Sequence, residues 1–160
     1  MDLDARFHEG LELAKSGKFE EALAIASELE RSRFTGCFEI KAIVLNGSGD
    51  REGAIDTLIQ GVAIKPVWRN GHLLGIYLSD VGRYDEALTA FDASLAMHGP
   101  EPKATALNKA ITLDRMDRVE EAIDLLTSLV RDTGVDDEPE VTEIARDFLT
   151  KLEGRGEQTG

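Results

Sequence analysis

A chain of 160 residues suits one domain, and 42% hydrophobic beside 31% charged residues is the balance of a sequence that folds. The formal net charge is −13, from 31 acidic against 18 basic residues, and no Lys/Arg cluster is interleaved with aromatics. Such a surface repels phosphate backbones and anionic membranes, so neither nucleic-acid nor membrane binding is expected, and a basic partner would be steered toward it.

Apolar residues recur with helical period along the chain, which predicts helices over 2–15, 18–31, 35–46, 51–64, 67–80, 84–97, 102–115, 119–132 and 138–153. Pro66, Pro100, Pro102 and Pro139 all fall at the junctions between them, where proline is tolerated. No segment alternates with period two, so the expected fold class is all-α. In the last helix Val141, Ile144, Ala145, Phe148 and Leu152 form one apolar stripe with charge opposite. That pattern suits a cap over the open end of a repeat array, and the glycine-rich stretch 154–160 reads as a frayed tail. The start, Met1-Asp2-Leu3-Asp4-Ala5-Arg6, lacks the basic and apolar runs of a signal peptide, and no stretch approaches a membrane span, so a cytoplasmic location is expected.

One short phrase returns four times: Gly17-Lys18-Phe19-Glu20-Glu21-Ala22, Gly49-Asp50-Arg51-Glu52-Gly53-Ala54, Gly82-Arg83-Tyr84-Asp85-Glu86-Ala87 and Asp117-Arg118-Val119-Glu120-Glu121-Ala122. The alanines lie 32, 33 and 35 residues apart, the period of a solenoid. In the third copy Leu74-Gly75, Leu78, Tyr84, Ala87-x-x-x-Phe91 and Pro100 follow in order. This resembles the tetratricopeptide repeat, a helix–turn–helix of about 34 residues. The looser copies keep Gly10, Leu13, Phe19 and Leu29, then Phe38, Ala42, Leu45, Leu58 and Pro66, then Ala110, Leu113, Val119, Leu126 and Leu129. The expected architecture is an α-solenoid domain over 1–153, with repeats at about 3–34, 35–66, 68–100 and 103–135 and a capping helix at 138–153.

Small residues recur at two equivalent places, Gly10, Ala42, Gly75 and Ala110 in the first helix and Ala22, Ala54, Ala87 and Ala122 in the second. Two antiparallel helices that cross closely need small side chains there. Gly17, Gly49 and Gly82 suit turns with positive φ, and Asp117 is a less permissive substitute.

The resemblance implies that the first helix of each repeat lines a concave groove. The implied groove residues are Phe7, His8 and Leu11, then Ile40 and Ile43, then Arg69, His72, Leu73 and Ile76, then Leu107, Asn108 and Ile111. Family members that clamp the carboxylate of chaperones need lysine and asparagine where this chain has Phe7, Leu11, Ile40 and Leu73, and only Arg69 fits. The groove is apolar instead, which suits an apolar or amphipathic segment of another protein with basic flanks toward the acidic rim; the competing readings are that the curvature of a short array packs these residues against one another, or that the cap folds over them. The expected function is a non-enzymatic interaction module without cofactor or metal. The alternative is a structural subunit that homo-oligomerises through the groove or solenoid edge.

Candidate chemistry is sparse. His8-Glu9 is not followed by the second histidine of a zinc-protease helix, and Asn46 to Asp50 lacks the lysine of a phosphate loop. Cys37, the single cysteine, has no neighbouring base to activate it and reads as a small core hydrophobe. The acidic stretch 132–138 departs from a calcium loop and reads as a solvated linker.

Overall fold

The computed structural model describes residues 2–97, 103–131 and 138–158, with 156–158 as backbone only. Among these residues there are nine helices and no strand. They are α1 (Leu3–Lys15), α2 (Phe19–Arg31), α3 (Gly36–Gly47), α4 (Arg51–Ile64), α5 (Trp68–Asp80), α6 (Tyr84–Leu95), α7 (Lys103–Arg115), α8 (Val119–Arg131) and α9 (Pro139–Gln158). Pro100, Pro102 and the linker expected at 132–137 lie outside the described residues.

The recurrent phrase makes one turn four times. Gly17, Gly49, Gly82 and Asp117 sit at φ 79°, 93°, 82° and 60°. In each turn the following amide reaches back to the helix it leaves: Lys18 N–H to Leu13, Asp50 to Leu45, Arg83 to Leu78 and Arg118 to Leu113, all at 2.9 Å. This pairing satisfies orphan carbonyls at a helix C-terminus and needs a residue tolerant of positive φ. The next helix starts at once, so each pair folds back antiparallel.

Each second helix then packs on the first helix of the following repeat, and first helices pack on first helices along one face. Ala22, Ala54, Ala87, Ala42 and Ala110 are fully buried at the crossings. At Gly75 a methyl group would sit 2.5 Å from the Phe91 ring, and at Gly10 it would sit 2.5 Å from Ile40 Cδ1. The apolar interior is three successive clusters, over α1–α3, α3–α6 and α6–α9, and not one globular core.

Helix α9 packs on both α7 and α8, burying Ala145 and Leu152, so it occupies the place of a fifth repeat's first helix. It runs through Gly154 to Gln158, past the expected end at 153. The two glycines disfavour helix, but Arg155 pairs with Asp114 of α7 at 2.9 Å and holds the extra turn. The two ends of the array expose positions that its interior buries. Ala5 and Glu12 hold in α1 the positions that Thr105 and Thr112 hold in α7, yet they are exposed where the threonines are buried. Glu140, Glu143, Arg146, Thr150 and Glu153 are exposed along α9.

Candidate partner-binding face

The first helices α1, α3, α5 and α7 carry the expected groove residues, and the structure divides those residues into two groups. In the N-terminal half, Phe7 and Leu11 are buried and Ile40 is 0% exposed. Gly10 is the cause: with no side chain on α1 there, Ile40 of α3 descends onto the helix. Arg69 covers the remainder, its guanidinium 5.0 Å from the Phe7 ring centre and its Nη2 donating to Glu39 Oε1 at 3.0 Å. Phe7, Leu11 and Ile40 are thus packed in the interior of this structure, where the resemblance implied an exposed groove. Arg69 already has its carboxylate. His8 stays exposed beside Phe7, and Ile43 is half-buried.

The C-terminal half is open. Leu73, Ile76, Asn108 and Ile111 are half-buried. Ile76, Asn108 and Ile111 border a small recess of about 90 Å³ between α5 and α7. Beyond it, α7 and α9 frame a cleft of about 470 Å³ with Leu107, Ile111, Ile144 and Phe148 as its apolar wall. Leu107 is mostly buried and contributes only its edge. Ile144, placed by its spacing on the cap's core-facing stripe, is 55% exposed and belongs to this cleft. Lys151 and Arg155 complete the rim with Asp114, Arg115 and Asp147.

The rim charges are mostly engaged. Arg115 donates to Ser79 Oγ at 2.9 Å and Asp80 Oδ1 at 3.2 Å, and Arg155 donates to Asp114. Thr112 donates to the same Ser79 oxygen at 2.9 Å, so α5 and α7 are joined through buried hydroxyls. His72 lies in this seam, its Nδ1 2.8 Å from Thr105 Oγ1 and its ring near Trp68 and Phe91.

Burial pushes the His72 pKa below the ordinary 6.5. The unfolded chain therefore binds a proton that the folded chain resists, and stability falls as pH drops below 6.5 toward the depressed value. Thermal melts at about pH 7.5 and about pH 5.5 should show this loss in the wild type. His72→Gln should be flatter across that window, and an unchanged slope would place the titration elsewhere.

Two other buried groups are held in their neutral forms. Burial raises the Cys37 thiol and keeps it protonated, which fits a packing residue. Tyr77 is pushed up to about 12, first by burial and then by Glu39 and Asp80. No helix of the described residues is long and apolar enough to cross a membrane.

Helix pairs with identical turns, stacked in register and closed by α9, define an α-solenoid of tetratricopeptide type. The tetratricopeptide repeat family model matches residues 72–136. Similarity in structure extends over the chain. A Podosopora anserina protein of kinesin light chain type, with nearly identical TPR-like repeats, has a TM-score of 0.74 at 16% identity, covering 99% of this chain and 90% of that one. MamA of AMB-1 gives 0.64 at 21% identity over 98% and 85% of the two chains. MamA from Desulfovibrio magneticus RS-1 gives 0.62 at 17% over 99% and 97%. No curated protein matches. Residues 72–136 thus match the tetratricopeptide repeat family model, and the fold along the whole chain is that of a tetratricopeptide-type solenoid. Arrays of this class are protein-interaction modules that present extended concave surfaces.

Proposed function

We propose that the concave face between α5, α7 and α9 captures an apolar or amphipathic helical segment of another protein. The observation that carries this reading is the open cleft of about 470 Å³ with Ile144, Phe148 and Ile111 on its wall. A helix presenting side chains at i, i+3, i+4 and i+7 matches an apolar trough of this kind. The net charge of −13 favours a segment with basic residues on its outer face. Exposed carboxylates at both ends, Glu12 on α1 and Glu140, Glu143 and Glu153 on α9, disfavour self-association by end-to-end stacking.

The test uses two synthetic amphipathic peptides, with leucines at helical spacing and either lysines or glutamates opposite. The lysine peptide should bind in calorimetry more tightly than its glutamate twin. Ile144→Asp should abolish binding while leaving the melting temperature nearly unchanged, since surface substitutions usually shift stability by no more than about 0.5 kcal/mol. No binding by either peptide, or equal binding by the variant, would refute the reading. A wild-type dimer in sedimentation that Ile144→Asp dissociates would assign the face to a second copy of the chain.

A further inference from the structure

The junctions along the array are built differently. Between the first and second repeats Ile40 of α3 packs against Gly10 and Ile25, and Lys41 of α3 pairs with Glu30 of α2 at 2.8 Å. Between the third and fourth the contact is stitched by His72 to Thr105, Thr112 to Ser79 and Arg115 to Ser79. The junction between the second and third repeats shares an apolar cluster, Ile55 and Leu58 of α4 with Leu74 and Leu78 of α5, but it buries an amide as well.

There, Asn70 of α5 is 1% exposed, and neither its Nδ2 nor its Oδ1 has a hydrogen-bond partner. Its amide lies against α4 at Gly61, where a methyl group would sit 3.3 Å from Nδ2 and 2.8 Å from Phe38 Cβ. A buried amide without partners loses its hydration and gains nothing in return, and separation of α4 from α5 would let water satisfy it. Helix α4 is itself weakened by Gly53 and Gly61. On the concave side of the same junction Arg69, the preceding residue, reaches back to Glu39 of α3 and over Phe7 of α1. It is the strap that holds three first helices together.

We propose that the junction between the second and third repeats is the hinge of the array, loosened by Asn70 and latched by Arg69. With the latch closed, the N-terminal half of the groove is filled. With it open, α1–α4 pivot away from α5–α9, the Asn70 amide is hydrated and the Phe7 ring is uncovered. The hinge is independent of what binds the α7–α9 cleft.

Hydrogen exchange on the full chain, read by segment, tests it with two opposite substitutions. Asn70→Leu removes the orphan amide at similar volume. It should slow exchange over 53–64 and 68–71 by about tenfold and raise the melting midpoint by about 2–8 °C. Arg69→Gln should speed exchange in those segments and expand the particle in small-angle scattering. Both variants should leave exchange over 103–131 unchanged. A lower midpoint for Asn70→Leu, or changes spread evenly along the chain in either variant, would overturn the hinge.

Discussion

Replacing Phe91 by alanine is expected to cost about 3–5 kcal/mol, more than any other single truncation in the array. Phe91 is the largest fully buried side chain, and its ring lies where a methyl on Gly75 would be, 2.5 Å away. The α5–α6 crossing is already at close approach through Gly75 and Ala87, so the helices cannot move together to fill the space. The same seat supports His72, whose ring is 6.4 Å from that of Phe91, and through it the seam to α7. Urea denaturation followed by helicity and by the fluorescence of Trp68 would measure the loss. Gly75→Ala makes the opposite error, overpacking, at about 1–3 kcal/mol. Combined, the two should cost less than their sum, because the added methyl occupies part of the cavity. A cost below about 1 kcal/mol for Phe91→Ala would mean that this crossing does not organise the third repeat.

The architecture is legible because its causes are local and repeated. Ala22, Ala54, Ala87 and Ala122 mark one crossing per repeat, and the residues at 17, 49, 82 and 117 announce the backbone sign that each turn needs. The binding face is less so, because its causes are long-range. Nothing in the pattern around Ile40 reveals that Gly10, thirty residues earlier, leaves room for it. Arg69 reads as a free groove cation until Glu39 and Phe7 are seen beneath it. Ile144 shares its helical stripe with Ala145 and Phe148, and periodicity cannot tell which margin of a stripe the neighbouring helix leaves uncovered. Lys103 shows the converse. It opens α7 with a residue type that is almost never fully buried, yet it is 9% exposed, with Nζ 3.4 Å from Thr142 Oγ1 of α9.

Deleting α9 from residue 139 onward is expected to be more damaging than any point substitution. The helix buries Leu152 and Ala145 completely and packs Val141, Phe148 and Leu149 against α7 and α8. At about 1.5–3 kcal/mol for each large apolar side chain fully buried, and less for those half-buried, its loss removes more than about 4 kcal/mol. It also uncovers the apolar face formed by Leu126 and Leu129 of α8 with Leu107 and Ile111 of α7. In a solenoid that exposure is felt first by the adjacent repeat, because each repeat is stabilised mainly by its neighbours. The truncated chain should therefore lose exchange protection over 103–131 before 3–47, and it should aggregate at concentrations where the full chain does not. Removing only the residues after Glu153 is the control. It breaks one partly exposed ion pair, Arg155 with Asp114, and should cost no more than about 1 kcal/mol. Equal losses from the two truncations would mean that the last turn, and not the Leu152 side of α9, closes the array. Small losses from both would mean that the fourth repeat is stable with its apolar face uncovered, and the capping role would be withdrawn.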